Sequence, residues 1–400
     1  MALSGIAVKP SWNPFRCGGT EYPINLLLTA KLIAFSLLIT NHVRLLPDPF
    51  LPFVPGLDQI APPAVFQRVL QVVFFLSALA LMFNRRPRIA SLALGGSILL
   101  AVVSSKAYYG NNKTFAGLIL FLTGLYEPGS PPWVLRAQFA LVYFGAGLNK
   151  LLDPDWRSGL FMDHWAGVRL RNSFYLGARS WLPPMLLAQA MCWGTILAEL
   201  GASAAFLVRR WYPAGILISL LFQSSLLLFT GDTFSMFFYG MQSALLIFVD
   251  WPTSPWLVIY DGDCGFCNRC KRWFERFDLE GLLDWRPFQS GAGEAFGISA
   301  AAASEQVYLV ADKKVYGGFR AIRRMLLFNP LTYFAIAFLI GAPRGDFSYL
   351  TIYRRVVVAL LLAVLLPPFI PIGERLYRQV ARNRYKLAPG SRCAVEPPRH

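Results

Sequence analysis

The sequence predicts a polytopic α-helical membrane bundle followed by a smaller α/β domain. Of its 400 residues, 55% are hydrophobic and only 15% are charged, whereas soluble proteins carry about 25% charged residues. The charges are sparse between residues 23 and 252 and become denser from Tyr260 onward. We therefore expect two domains of different solvent class, at residues 1–252 and 256–395.

Long apolar stretches fill the first of these domains. A helix that crosses a bilayer needs about 20 mostly apolar residues, and we predict about eight such spans before residue 252. They are residues 24–46, 65–83, 89–108, 114–126, 134–152, 184–208, 212–230 and 234–251.

Basic residues fix a predicted orientation for these spans. Cytoplasmic loops are enriched in Lys and Arg. Lys9 and Arg16 precede the first span, residues 85–88 (RRPR) follow the second, and Arg209-Arg210 follow the sixth. With eight spans, all three clusters lie inside. We therefore expect a multi-pass protein of a bacterial inner or plasma membrane with its C-terminal domain in the cytoplasm.

The net charge of +16 does not by itself indicate nucleic-acid binding. Most Arg and Lys residues lie in short clusters beside apolar stretches, where they act as topology signals and contact anionic lipid headgroups. No basic stripe interleaved with aromatic residues is found in a soluble module. We therefore expect the lipid bilayer, and no nucleic acid, as a partner.

Three segments do not fit the simple span pattern. Residues 153–181 combine several Arg with Trp and Phe, which predicts an interfacial or re-entrant element. Residues 325–340 and 356–370 are each only about long enough to span. Pro330 and the Pro367-Pro368 pair favour helices that do not span, and the alternative is a spanning hairpin.

The C-terminal domain alternates strand and helix patterns. The β-branched run at 257–260 predicts a buried strand, and the apolar spacing from Cys264 to Phe277 predicts a helix. Further strands are predicted at 282–288, at 307–310 and around Val315, with a final helix from Phe319. The order strand, helix, strand, helix, hairpin, helix is that of the thioredoxin topology.

A Cys-x-x-Cys pair stands at the start of the first helix of this domain. The first cysteine lies at the positive end of the helix dipole, which favours the thiolate that attacks disulfides. We predict Cys264 as the nucleophile and Cys267 as the resolving thiol, with Cys270 as a backup thiol or metal ligand. A copper(I) site of two or three thiolates and three inert thiols are the alternatives.

This region resembles the DCC thiol-disulfide oxidoreductase family, which is named for an Asp and two Cys. The resemblance rests on YDGDCGFC at 260–267, WRPFQ at 285–289, GGFRA at 317–321, and YRQVARNRYK at 377–386 with Cys393 after it. It implies a thioredoxin-like fold, exchange with a thiol or disulfide of a protein or small molecule, and a site role for Asp261. One departure from thioredoxins is that no proline precedes the strand at Val307.

Charged residues inside predicted spans are functional candidates by default. They are Lys31, His42, Lys106, Lys150 and Glu199. For Lys106 and Lys150 the alternative is snorkelling to the interface. Lys31 and Glu199 are predicted to lie deeper, where they could pair.

Lys150 stands in a distinctive motif, YFGAGLNKLLDPDWRSG at residues 143–159. The motif resembles the HTTM superfamily, relatives of vitamin K-dependent γ-glutamyl carboxylase, in which the matching lysine is the base that deprotonates the hydroquinone. Lys113 stands where that family has His, Gln223 also replaces an expected His, and the lumenal substrate domain is absent. Glutamate carboxylation is therefore not expected, but a quinone or lipid-like ligand in the bundle stays open.

These patterns predict a membrane-bound thiol-disulfide oxidoreductase using Cys264 and Cys267, with electrons passing to or from a quinone in the bundle. One alternative is a transporter, receptor or scaffold with a vestigial thioredoxin-like module. Another is an enzyme of the HTTM bundle with Lys150 as its base. The sequence leaves the substrate and the direction of electron flow open.

Overall fold

In its structure, a computed structural model, the chain divides into two compact units. The structure describes residues 12–39, 56, 59, 62–106, 108–183, 185–230, 235–341 and 369–387. One unit lies within residues 19–250, and the other combines residues 12–18 with residues from 251 onward. His42, Cys393 and residues 356–368 lie outside the described residues.

The described part of the first unit is helical. Its α-helices are α1 (Ile24–Ile39), α2 (Pro63–Met82), α3 (Pro87–Ser104), α4 (Asn111–Leu125), α5 (Trp133–Leu152), α6 (Pro154–Ser158), α7 (Leu160–Met162), α8 (Ser173–Arg179), α9 (Leu186–Leu207), α10 (Tyr212–Thr230) and α11 (Ser235–Ala244). A π-helix at Asp163–Arg169 and 3₁₀ turns at Arg209–Trp211 and Leu245–Phe248 join some of them.

Fewer helices are suited to cross a membrane than the eight predicted. Among the described residues, α2, α3 and α9 are long and apolar enough. The count by length and composition is three, or four with one bent helix pair of the second unit. Helices α1 and α4 have only 16 and 15 residues, which is short of the length a span needs. The count of eight is therefore not confirmed.

Small residues bring α3 and α4 into close contact. A side chain at Gly95 would meet the backbone of Phe121, and one at Gly124 would lie 2.7 Å from the backbone nitrogen of Leu92. Only glycine lets two helix backbones approach this closely, and such contacts are common where helices pack inside membranes. The pair forms part of the apolar core of the first unit.

Residues 153–181 do not form one long helix. They comprise α6, α7, the π-helix and α8, none longer than seven residues. The rings of Trp156 and Phe161 stack with their centroids 4.2 Å apart. Interruption by short helices and clustered aromatic rings is consistent with the interfacial or re-entrant element that we predict here.

The second unit contains the predicted α/β arrangement. Its elements are β1 (Trp256–Tyr260), α12 (Gly265–Phe277), β2 (Leu283–Pro287), α13 (Ala300–Glu305), β3 (Tyr308–Ala311), β4 (Lys314–Gly317), α14 (Gly318–Leu327), α15 (Pro330–Gly341) and α16 (Ile370–Leu387). Helix α14 meets α15 at a bend of 74°, beside Pro330.

The four strands form one mixed sheet in the order β2-β1-β3-β4. Strand β1 pairs parallel with β2 and antiparallel with β3, and β3 pairs antiparallel with β4. This is the element order predicted from the sequence, and β3 and β4 form the predicted hairpin. Val258 and Ile259 of β1 are fully buried on opposite faces of the sheet, which explains the uninterrupted apolar run.

Residues 12–18 pack with this second unit although they open the described chain. The backbone N–H groups of Cys17 and Gly18 donate to the two carboxylate oxygens of Glu280, at 2.5 and 2.6 Å. The rings of Phe15 and Phe334 meet edge to face with their centroids 5.1 Å apart. No pattern in residues 12–18 predicts this association.

Candidate redox site

Cys264 occupies the N-cap position of α12, directly after the turn that follows β1. Its Sγ accepts a hydrogen bond from the backbone N–H of Cys267 at 3.3 Å. Serine, threonine or aspartate usually supplies the oxygen at this position. Here a sulfur atom fills it, so the helix N-terminus stabilises negative charge on Cys264.

The two thiols of the pair have opposite acid strengths. A hydrogen bond from the Cys267 side chain, together with that from its backbone N–H and the charge of Arg384, lowers the pKa of Cys264 to about 6, against burial and Asp261. The same hydrogen bond and burial raise the pKa of Cys267 far above its usual value. At pH 7 Cys264 is therefore the thiolate and Cys267 the neutral donor.

The thiol that is the stronger acid is the less exposed of the two. Cys264 is fully buried, whereas Cys267 is only partly buried. Acid strength decides which sulfur can attack, because the thiolate is the nucleophile. Access decides what can reach it, so a substrate disulfide meets Cys264 only after neighbouring atoms move.

Asp261 is the centre of a polar network beside the thiols. Its side chain is 9% exposed, and one oxygen accepts from the backbone N–H of Asp263 at 3.1 Å and from Nε2 of Gln289 at 3.0 Å. The other oxygen lies 3.8 Å from a guanidinium nitrogen of Arg384. Asp261 therefore joins the active turn, the end of β2 and helix α16.

The turn itself is braced from both sides. Asn268 donates to the carbonyl of Gly262 at 2.6 Å, and Gln289 accepts from the N–H of Gly262 at 3.1 Å. A side chain at position 262 would lie 2.8 Å from Cβ of Pro287. This contact explains the glycine between the two aspartates of the motif.

Arg384 enters the site from α16, about 120 residues further along the chain. It is 7% exposed and donates to the carbonyls of Ser304 and Glu305. Its charge lowers the pKa of Cys264 and of Cys267. Arg384 stands within the motif at residues 377–386, but nothing in the local pattern places it near the thiols.

Helix α16 also contacts the chain where thioredoxins have a proline. The N–H of Val307 donates to the hydroxyl of Tyr377 at 3.0 Å. Burial, with the nearby charge of Cys267 as a smaller cause, raises the pKa of Tyr377 to about 12. Tyr377 therefore stays protonated beside the thiols at neutral pH.

Cys270 lies one turn beyond Cys267 on α12 and is half-buried. Burial, and secondarily the charge of Cys264, raises the pKa of its thiol. Within the described ranges, no group of three or more His, Cys, Asp or Glu side chains is arranged to hold a metal ion. The three-thiolate form of the copper(I) alternative therefore finds no support among these residues.

Lys150 belongs to the first unit and has its own polar surroundings. Its ammonium nitrogen lies 2.8 Å from both carboxylate oxygens of Glu199 and 5.1 Å from the ring centroid of Trp156. The predicted pairing of Glu199 with Lys31 is wrong. Lys31 is fully buried and donates to the carbonyl of Met82 at 2.7 Å, because α1 packs beside α2.

Buried polar groups continue from Lys150 along α5. Tyr143 lies two helical turns before Lys150. Its hydroxyl is 2.5 Å from that of Ser219, and Gln223 Nε2 lies 3.3 Å from the Tyr143 oxygen. Among the described residues no donor lies within hydrogen-bond distance of the Gln223 carbonyl oxygen. In the sequence, Gln223 stands out only as a departure from a family pattern.

Each unit contains a range of residues that matches the model of a known family. Residues 258–357 match the family model of the DCC1-like thiol-disulfide oxidoreductases. Residues 127–251 match the model of the HTTM domain. No solved structure matches the chain. The HTTM match and the apolar helices are consistent with a membrane protein, whereas its orientation rests on the charge pattern alone.

Each match covers the motif that predicted it: the first includes Cys264 and Cys267, and the second includes Lys150. The two matched ranges follow each other along the chain without overlap. The chain is therefore a fusion of an HTTM domain with a DCC1-like thiol-disulfide oxidoreductase domain.

Proposed function

We propose that this chain is a membrane-bound thiol-disulfide oxidoreductase in which Cys264 attacks and Cys267 resolves. The observation that carries the proposal is the capping geometry of Cys264, whose sulfur accepts the N–H of Cys267 at the start of α12. With a pKa of about 6, about nine-tenths of Cys264 is thiolate at pH 7.

The chemistry follows from the two acid strengths. The Cys264 thiolate attacks one sulfur of a substrate disulfide, forms a mixed disulfide and releases the other sulfur as a thiolate. Cys267 then loses its proton, attacks Cys264 and releases the second substrate thiolate. The substrate disulfide is reduced, and the two cysteines are oxidised to a disulfide. The reverse sequence oxidises a dithiol substrate.

On this proposal residues 1–252 form the membrane bundle, of about eight spans, and residues 256–395 the redox domain on its cytoplasmic side. A partner is needed to return the pair to its starting state. A second dithiol or disulfide would serve. A quinone bound in the bundle would accept the two electrons and two protons that disulfide formation releases.

Differential alkylation of the full-length protein tests the proposal. The protein is treated with an oxidised model dithiol or with a reductant, alkylated with two isotopic reagents in turn, and digested. We expect Cys264 and Cys267 to change state together. With Cys267→Ser, a mixed disulfide to Cys264 should accumulate. The idea is untenable if the pair never forms a disulfide under oxidising conditions.

Cys192→Ser provides the matched control, because Cys192 is also buried but belongs to the helical unit. It should leave the exchange activity unchanged. Cys264→Ser should abolish exchange. If instead a cellular activity of the protein survives Cys264→Ser, the scaffold or transporter reading is favoured.

A second candidate function is favoured by the Lys150–Glu199 pair. A lysine held by a carboxylate in an otherwise apolar bundle suits proton transfer to or from a bound ligand. The hydroxyls of a hydroquinone would find an acceptor in the buried carbonyl of Gln223. Lys150 and Gln223 are therefore the residues that would hold such a ligand.

One pair of variants distinguishes the two candidate functions. Lys150→Ala should abolish a bundle-based reaction and leave dithiol exchange by Cys264 intact, whereas Cys264→Ser should do the opposite.

Glu199→Gln should lower the stability of the first unit by about 3 kcal/mol, because it leaves a mostly buried lysine unpaired. Thermal unfolding in detergent measures this. Lys150→Met with Glu199→Leu should recover most of the loss.

A further inference from the structure

Helix α16 has one face anchored against the redox domain. Gly373 packs directly against the ring of Phe319, which a side chain at 373 would displace. Tyr377 binds the N–H of Val307, and Arg384 is buried beside Asp261. These contacts recur along the helix and fix its rotation, so the opposite face is also defined.

An exposed apolar stripe runs along the helix beside the anchored face. Ile372, Leu376 and Val380 follow one another at intervals of four residues and therefore lie on one side of the helix. Their exposed fractions are 48%, 53% and 43%. Three large aliphatic side chains aligned in this way on a helix surface indicate a partner rather than chance exposure.

Basic residues border the stripe. Arg375, Arg378, Arg382 and Lys386 are all exposed and lie three, four or seven residues apart, so they form a second row beside the aliphatic one. The one acidic residue of the helix, Glu374, lies 3.8 Å from Arg320 of α14. The exposed side of α16 therefore combines positive charge with apolar surface. We call this side, with its aliphatic stripe and its basic row, the outer face of α16.

We propose that this outer face of α16 binds the surface of an anionic lipid bilayer. An amphipathic helix with aliphatic side chains on one side and Lys and Arg beside them is suited to lie at the boundary of headgroups and acyl chains. Anionic headgroups attract the four cations, and the acyl region accepts the aliphatic stripe. The chain has helices suited to cross a bilayer, so a lipid surface is available to the folded protein.

Lipid binding by the outer face has a consequence for the inner face. A helix held in place at the bilayer keeps Arg384 beside Asp261 and Tyr377 on Val307. The bilayer thereby supports the network around the thiols without contacting it. This inference is independent of whether Cys264 and Cys267 exchange disulfides.

Hydrogen–deuterium exchange of the full-length protein tests the proposal. The protein is reconstituted in nanodiscs of phosphatidylcholine alone or with phosphatidylglycerol added. We expect slower exchange in peptides from residues 372–386 when the anionic lipid is present, and unchanged exchange in α12. In the double variant Arg378→Gln/Arg382→Gln, the protection gained from anionic lipid should fall roughly fivefold for each arginine removed.

Arg272→Gln is the matched control, because Arg272 is an exposed arginine on α12. It removes one charge outside α16 and should leave the lipid effect intact. Equal exchange of α16 in the two lipid mixtures would overturn the proposal. An undiminished lipid effect in the double variant would overturn it too, because the arginines would then not mediate the contact. High protection in both mixtures would indicate a protein surface over α16 instead.

Discussion

Cys264 shows how one residue combines a structural and a chemical role. As the N-cap it satisfies a backbone N–H that the helix leaves free, and as a thiolate it gains from the same hydrogen bond. Folding and reactivity therefore depend on one contact. Because the pKa of about 6 lies below the unfolded value of roughly 8.5, ionisation stabilises the folded state fully above the unfolded value. This contribution is lost as the pH falls toward 6.

Replacement of Arg384 tests the electrostatics of the site. Arg384→Gln should raise the pKa of Cys264, because a positive charge that favours the thiolate is removed. The pH dependence of iodoacetamide alkylation at Cys264 measures this value. A complete return to the ordinary pKa would reduce the thiolate fraction at pH 7 to about 3%, and we expect a smaller loss because the hydrogen bond from Cys267 is the larger cause.

Two variants make this result interpretable. Arg384→Lys keeps the charge and should keep most of the lowered pKa. Arg320→Gln removes an exposed arginine of α14 and should leave the alkylation profile unchanged. An identical profile for Arg384→Gln and the natural chain would mean that Arg384 only supports the fold.

Among the elements, α16 has the largest effect on the site, although its local sequence indicates least that it belongs there. It supplies Arg384 to Asp261 and Tyr377 to Val307, and so covers the position of the proline that this domain lacks. In thioredoxins that position faces the thiols. Here a substrate has to approach a surface already occupied by part of the chain.

Tyr377→Phe tests the covering role of α16. Loss of the hydroxyl removes the acceptor of the Val307 N–H and should cost about 1 kcal/mol of stability, which chemical denaturation of the purified protein measures. Cys264 should then be alkylated faster at any given pH, because α16 is held less firmly. The pKa obtained from the profile should change little.

Tyr316→Phe is the control for this variant, since Tyr316 lies on β4 and presents its ring to Arg324. Removing its hydroxyl should alter neither stability nor alkylation. Slower alkylation in Tyr377→Phe would contradict the covering role.

At the scale of the whole molecule, a helical unit and a redox unit share one chain. The charge pattern places the redox unit in the cytoplasm, a prediction that the fold does not test. A cysteine introduced at exposed Lys314 reports on the redox unit, and one at exposed Ser180 reports on the segment that the predicted eight-span topology would put outside.

Labelling of intact cells with an impermeant maleimide checks the orientation. We expect Ser180→Cys to be labelled, and Lys314→Cys to be labelled only after permeabilisation. The natural chain gives the background from its own cysteines. Labelling of Lys314→Cys in intact cells would place the redox unit outside, where an oxidising role would follow from the compartment.

Features that depend on local pattern could be predicted from the amino-acid sequence. The buried run of β1, the turn, and the spacing of Cys264 and Cys267 on α12 are all set by neighbouring residues, and local patterns sufficed to predict the order of strands and helices in the second unit. The motifs around Cys264 and Lys150 likewise predicted both domain families. Span counting was less successful, because apolar runs do not reveal where helices end or break.

Contacts between distant residues became evident from the three-dimensional packing alone. Arg384 and Tyr377 reach the thiols because α16 folds back over α12, and Glu199 pairs with Lys150 rather than Lys31 because α9 packs beside α5. Such contacts join residues 49 or more positions apart, so no periodicity along the chain encodes them. They depend on the packing of whole elements, which is the physical reason that the network around Cys264 could not be predicted from its motif.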